Sequence, residues 1–449
     1  MSRGPKVIVV TETWDGLGLA MLMERQGTEV LVAHDISDLK DPKDHDAAKV
    51  CGEGLVERMP YEKAVKQYKG AEAIWLFDNN SFPEKADALR KAGEQVLGTG
   101  ALSAKMEKDR AYAVEVAEEA GFALPDSQEF SDVAKAVAYL EAHQDTAYVC
   151  KAQGGDADLT FVPMPSDRDA VANEMLRGYL AALEEAAEGD RPKTFLLQER
   201  ISGGIEVNVD LWIHRGKPLV AFVDLEAKRR LNGDLGELVG CGFDYLFQVP
   251  ILSPLVRKTA GRFLGRPELR NYTGSVDANV ILKDGKAYWL EACNRLGYNA
   301  TPTLFYGLAS ATMERILAAW LSGKLISPLF QRGYAASLSL FASEHQAGFP
   351  IIVPQSAAAH FCPYAAREGQ DGNLAMVGGG KAWYAVGATV AYAPAAPGAG
   401  RRALAVAREI VYPNKGFRTD GPDDDVPTLP LARLRRLQAI GLLPRGAIR

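Results

Sequence analysis

Four residues near the middle of the chain, Asp277, Glu291, Asn294 and Arg295, have the types and spacing of a metal and phosphate site. The first three offer hard oxygen ligands suited to Mg²⁺ (or Mn²⁺) shared with substrate phosphates, and the arginine can fork onto a phosphoryl oxygen. Asn279 shares a strand face with Asp277 and is the alternative to it, as Cys293 is to Asn294. The segment that carries them, Tyr272 to Arg295, reads as two alternating apolar strands around Asp284-Gly285, a strong hairpin signal. The hairpin must bring the acid at the end of its second strand to the phosphates.

The elements around this hairpin alternate between strand and helix. Lys6 to Val10 reads as a buried parallel strand, followed by a turn around Asp15-Gly16-Leu17-Gly18 and a helix through Met23. Glu29 to Ala33 and Ala73 to Phe77 read as further strands and Pro83 to Ala92 as a helix, which makes a small doubly wound α/β unit. Lys105 to Ala120 reads as one helix closed by Gly121. Tyr148 to Lys151, the run Gly154-Gly155-Asp156-Ala157-Asp158 and a strand through Val162 form a hairpin able to lie over a nucleotide. A helix is expected from Ala170 to Ala187, a strand from Phe195 to Glu199, and alternating residues to His214 and from Leu219 to Leu225. The charge-rich run Glu226 to Arg230 reads on its own as a solvated face. Helices follow at Ala309 to Leu321 and Leu431 to Leu437, with a loop from Ala393 to Gly400.

Composition narrows the function. Lys and Arg number 51 against 57 Asp and Glu, a net charge of −6, and no long basic block appears, so general nucleic-acid affinity is not expected. No apolar run approaches the roughly 20 residues of a membrane helix. The start, Met1-Ser2-Arg3-Gly4-Pro5-Lys6, leads into a strand without the features of a signal peptide, so the cytoplasm is the expected location. Five cysteines, at 51, 150, 241, 293 and 362, are odd in number and widely spaced, which argues against a disulfide framework or a structural zinc site.

Taken in order, these pieces resemble the ATP-grasp superfamily and, within it, the phosphoribosylamine–glycine ligase family. The resemblance runs through Lys105 to Arg110, Tyr148 to Val162, Gln198-Glu199-Arg200-Ile201 with Gly204-Ile205-Glu206, Lys228-Arg229 with Asp234-Leu235-Gly236, Tyr272-Thr273-Gly274, and Glu291 to Gly297. Val377 to Lys381 and Phe417-Arg418-Thr419-Asp420 continue it to the C-terminal region. It implies an α/β protein of three parts: an N-terminal doubly wound α/β domain over 1–103, a two-part α+β ATP-grasp domain over 104–328 with a lid subdomain at about 125–200, and a small C-terminal α+β cap over 329–449. It also implies ATP and Mg²⁺ as cofactors, a small carboxylate such as glycine and an amine as substrates, and a monomer or homodimer. Arg110, Lys151, Gly154, Gly155, Gln198, Glu199, Ile201, Glu206 and Lys228 would hold the nucleotide, and Lys228 and Arg295 would act on the moving phosphoryl group.

Departures from that family gather at the acceptor side. Its Gly-Gly-Arg-Glu-His loop is replaced by Thr11-Glu12-Thr13-Trp14-Asp15-Gly16-Leu17-Gly18, where two acids and an indole stand in place of a basic, open loop. A carboxylate near a phosphate is repulsive. Trp14, Asp15, Gly16, Arg295 and Gly297 are therefore the expected substrate contacts, with Trp14 available to stack on a flat group. Arg110 replaces a family lysine, Asp156 and Asp158 enter the covering hairpin, and Tyr298-Asn299-Ala300 replaces Asp-Pro-Glu. Asn294 follows Glu291 by three positions where the family has two, so a bulge must re-aim it or Cys293 takes its place.

Overall fold

The computed structural model describes residues 4–153, 160–164, 169–185, 194–296, 299–343, 346–379, 385–422 and 426–444. Contacts divide the chain into two units, one of Met1–Val116, Glu206–Val280 and Leu290–Arg449, the other of Ala117–Ile205 and Ile281–Trp289. The fold class is α/β, as expected.

The first unit begins with a parallel sheet of β1 (Lys6–Thr11), β2 (Val30–His34), β3 (Arg58–Pro60), β4 (Ala73–Phe77) and β5 (Gln95–Leu97), in the order β3-β2-β1-β4-β5. Both faces are covered, so β1, β2 and β4 are nearly continuous apolar runs, and this made them legible. On one face Ile8, Val10, Leu31, Ala33, Trp75 and Phe77 form a core with Phe82, Ala86 and Leu89 of the region around the helix Pro83–Lys91. β3 and β5 are only three residues each and carry no periodicity to read. The strand order reverses direction between β1 and β4, which places the loops after Thr11 and Phe77 side by side at the sheet's carboxyl edge.

The second unit is an antiparallel sheet of β6 (Ser127–Phe130), β7 (Tyr148–Gln153), β8 (Thr160–Phe161) and β9 (Thr194–Glu199), ordered β6-β9-β7-β8. Ala136 and Leu140 of the helix Val133–Ala142, and Leu176 and Leu180 of the helix Asp169–Glu185, pack on Tyr148, Cys150, Phe195 and Leu197.

A nine-stranded sheet contains β10 (Ile205–His214), β11 (Lys217–Leu231), β12 (Leu235–Val249), β13 (Gly274–Lys283), β14 (Lys286–Glu291) and β15 (Tyr334–Ala342). Its order is β14-β13-β10-β11-β12-β15-β20-β17, and β21 pairs with β15; β17 is Phe361–Pro363, β20 Ala385–Ala393 and β21 Lys415–Gly416. β16 (Pro350–Ile351), β18 (Ala366–Glu368) and β19 (Leu374–Met376) form a small sheet apart. The β13–β14 hairpin forms as expected, with Asp284 at φ 50° and Gly285 at φ 77°, the left-handed pair that a two-residue turn needs.

Three expectations are corrected. The helix read from Lys105 to Ala120 is two, Ala101–Lys108 and Arg110–Glu119, because Asp109 takes extended dihedrals and its carboxylate accepts the Tyr112 N–H at 3.1 Å. The Ala393–Gly400 stretch is not simply a loop: the helix Ala396–Glu409 starts inside it, with proline in its first turn. Ala396, Ala399, Gly400, Ala403 and Ala407 form its buried, small-residue face. The helix read from Ala309 begins only at Met313 and follows a π-helical segment, Thr303–Leu308.

Candidate active site

The β11 run expected to be solvated is instead a strand whose alternate side chains build the site. Lys228 Nζ lies 2.9 Å from Glu206 Oε1 on β10 and 3.6 Å from Glu291 Oε1 at the end of β14. Burial opposes the charge on both partners, yet the opposite charges win. Lys228 is raised well above the ordinary lysine range by Glu206, Glu291 and Glu226, while Lys228 and Arg433 bring Glu206 down to about 2. Arg110, at the start of its helix, buries a guanidinium nitrogen, Nη1, that has no hydrogen-bond partner. Burial lowers its pKa against the pull of Glu291. A buried, unpaired donor on a cation is a candidate anion contact.

The metal candidates separate. Asp277 on β13 accepts from Asn208 Nδ2 at 3.0 Å through Oδ2, while its Oδ1 is buried without a partner. Glu291 is exposed apart from its contact with Lys228. Asn294 is fully buried, and its amide is engaged: Oδ1 accepts the Asp277 N–H at 3.3 Å and Nδ2 points to Met106 Sδ at 3.6 Å. Cys293 is half-buried, and burial first, then Glu291 and Asp277, push its thiol well up. Asn279 is buried. Among the described residues no group of three or more His, Cys, Asp or Glu is placed to hold a metal ion. Mg²⁺ needs only one or two carboxylates beside nucleotide phosphates, and the open Oδ1 of Asp277 and the Glu291 carboxylate fit that demand.

The loops that meet at the edge of the parallel sheet form a second charged group. Gly16 N–H donates to Asp78 Oδ2 at 2.8 Å, Ser81 Oγ donates to Glu12 at 2.5 Å, and Asn79 Nδ2 donates to Thr13 Oγ1 at 3.2 Å. Gly16 has to be glycine, since a Cβ there would stand 2.6 Å from Val9 Cγ1 and 3.0 Å from Asp78 Oδ2. Burial, with the Asp15 carboxylate beside it, pushes Asp78 up to about 8. Burial also raises Asp15, against the pull of Arg295. Arg295 Nε donates to Glu107 at 3.0 Å, and Glu107, Cys293 and Asp15 outweigh burial to hold its pKa above the ordinary arginine value. A cavity of about 350 Å³ lined by Ser81, Glu84, Lys105 and Lys108 opens beside this loop pair. Trp14 turns inward at φ 66° and is fully buried, with its ring 5.8 Å from His34 and from the Arg58 guanidinium. The stacking surface expected of it faces protein.

In the second unit, β7 pairs Lys151 with Leu196, and β9 sets Gln198 opposite Val149 and Glu199 opposite Tyr148. Gln198 Nε2 donates to Ser127 Oγ at 3.2 Å, and Ile201 is half-buried just beyond the strand. Gly154, Gly155 and Gly297 lie outside the described residues.

Sequence reading missed Asp78, Glu107 and Arg433. Arg433, in the C-terminal helix Pro430–Ala439, donates to Glu226 O at 2.9 Å and lies 3.8 Å from Glu206 Oε2. No motif marks it. The only signal is an arginine among the apolar positions of an amphipathic helix.

No family model matches the chain. It is 27% identical over 270 residues to the phosphoribosylamine–glycine ligase of Chlorobaculum tepidum, an alignment that covers 58% of this chain and 61% of that protein. With the ligase of the same name from Pasteurella multocida it shares 25% over 355 residues, 74% of this chain and 78% of the other. Among solved structures, phosphoribosylamine–glycine ligase from Thermotoga maritima superposes with a TM-score of 0.66 at 18% identity, over 92% of this chain and 99% of that one. Biotin carboxylase from Campylobacter jejuni superposes with a TM-score of 0.60 at 11% identity, over 96% and 95%. The aligned part thus spans about three-fifths of the Chlorobaculum ligase. The chain has the ATP-grasp fold of these solved enzymes, and its curated relatives support the resemblance to phosphoribosylamine–glycine ligase that its motifs carry.

Proposed function

We propose that this protein is an ATP-dependent carboxylate–amine ligase whose amine partner differs from phosphoribosylamine. A carboxylate oxygen attacks the γ-phosphorus of ATP and ADP leaves, giving an acyl phosphate. The amine then attacks the carbonyl, phosphate leaves, and a proton is lost as the amide forms. The acyl phosphate must be kept from water, which is the work of a covering hairpin such as that expected around Gly154 and Gly155.

The observation that carries the ligase reading is the pair of cations that face Glu291: Lys228 between Glu206 and Glu291, and Arg110 with an open Nη1. Arg110, Lys228 and Arg295 take the phosphoryl oxygens in this reading, and Glu206 takes the ribose side. Lys151, Gln198, Glu199 and Ile201 are nucleotide contacts by family resemblance. Mg²⁺, held by Glu291 and Asp277, would neutralise the phosphate charge. Asp15, Gly16 and Gly297 belong to the acceptor side.

The changed amine rests on Asp78. Its carboxylate already takes the Gly16 N–H, the backbone donor that a substrate phosphate would use at that helix start. The rival reading, phosphoribosylamine–glycine ligase itself, is favoured by the names of the relatives. A screen of ADP release against amino acids and amines tests the proposal. Release that requires both a carboxylate and an amine supports the ligase, and nucleotide binding with no release under any pair would make this a nucleotide-binding protein without ligase chemistry.

A further inference from the structure

We propose that Arg433 is a positioning residue that allows Lys228 to leave Glu206 for a nucleotide phosphate; this rests on the reading of Lys228 as a phosphate contact. The helix Pro430–Ala439 docks through Leu431, Leu434 and Leu437, and of its three arginines Arg435 is exposed, Arg436 half-buried and Arg433 buried. Arg433 Nη1 is anchored on Glu226 O at 2.9 Å. Its Nη2 lies 3.8 Å from one oxygen of Glu206, and Lys228 Nζ lies 2.9 Å from the other. The two cations therefore divide one carboxylate.

This division has a consequence for ligand binding. If Lys228 were the only partner of Glu206, moving its ammonium to a phosphate would strand a carboxylate in a poorly solvated place, which is costly. With Arg433 remaining on the second oxygen, the carboxylate stays compensated while Lys228 moves. Glu226 and Glu291 also face Lys228, so the ammonium does not leave an otherwise neutral site. Arg433 touches neither nucleotide nor reacting atoms in this scheme. It sets how tightly Lys228 is held.

The test is a double-mutant cycle on the full chain, read as the dissociation constant of a non-hydrolysable ATP analogue with Mg²⁺ by calorimetry, without an acceptor. Arg433→Met is expected to weaken binding about tenfold when Glu206 is present, and by less than about twofold in the Glu206→Gln background, because the carboxylate that Arg433 and Lys228 divide is then gone. Equal losses in the two backgrounds would mean that Arg433 only anchors its helix, and would overturn the proposal. If Arg433→Met does not fold, Arg433→Lys replaces it in the same cycle, with a smaller expected loss and the same overturning result. A wild-type chain that binds no analogue would remove the nucleotide reading, and the proposal with it; equal losses remove the proposal alone.

Discussion

Asp78 accepts the Gly16 N–H at 2.8 Å, so a carboxylate of the chain itself occupies the first turn of the helix Leu17–Arg25. A helix start is a ready anion site, and here it is filled from within. Asp15 stands beside it, and Arg295, the cation that pulls on that acid, is held by Glu107. A phosphate brought here would find the Gly16 N–H already taken and the acidic groups of Asp78 and Asp15 beside it.

Phosphoribosylamine with glycine is accordingly expected to be a poor substrate pair. Steady-state kinetics with freshly generated phosphoribosylamine decide it. A kcat/KM in the ordinary enzyme range of about 10⁴–10⁸ M⁻¹s⁻¹ for that pair would show that the loop changes are tolerated and would falsify the changed-amine reading.

Asp78 also sets a pH dependence. Its carboxyl binds its proton more tightly in the fold, at about 8, than in the unfolded chain, where an aspartate has its ordinary value of 3.8. The stability tied to it is full below the unfolded value and is lost as pH rises through about 8. Asp210 and Asp244, each raised to about 7 chiefly by burial, act in the same direction. Glu206 acts oppositely, but only between about 2 and the ordinary glutamate value of 4.5. The melting temperature should fall from pH 5 to pH 8.5. Asp78→Asn keeps an acceptor for Gly16 and removes the titration, so its fall should be smaller by about 2–4 °C. Parallel curves for the two proteins would place the Asp78 proton elsewhere.

ATP with Mg²⁺ should raise the melting temperature, since a ligand that binds only the native state stabilises it by mass action, about 2.7 kcal/mol at a hundredfold excess over Kd. Lys228, Glu206 and Arg110 are the residues behind this expectation. Thermal shift at millimolar nucleotide reads it directly, and an unchanged transition would remove the nucleotide site.

Glu291→Gln should abolish ADP release and leave the fold intact. The acid ends β14 in an exposed position, where its loss costs little packing, and its partner Lys228 retains Glu206. Arg295→Ala should lose turnover as well, with a larger change in stability because Glu107 would lose its partner in a half-buried place. Wild-type turnover in Glu291→Gln would move the metal and phosphate site away from this strand end.

Local sequence determined the elements whose burial has a short period. Two-sided burial wrote β1, β2 and β4 as apolar runs, and the Asp284-Gly285 pair fixed the hairpin because only that turn admits two left-handed residues between twisted strands. Motif order also carried the fold and marked Lys228 and Glu291 as candidates for phosphate and Mg²⁺, while their contact at 3.6 Å came from the sheet. Tertiary structure decided the rest. Asp109 and Tyr112 broke a helix whose apolar period runs on through the break, and small residues in Ala393–Gly400 read as a loop until β15 and β20 supplied a surface for a close-packed helix. Asn294 turned inward to Asp277 and Met106, a direction that spacing from Glu291 alone leaves open. Asp78 lies 62 residues from Gly16, and Arg433 lies 207 from Glu226. Such pairs depend on strand order and helix docking, which are set by the sum of many weak contacts, so no local pattern records them.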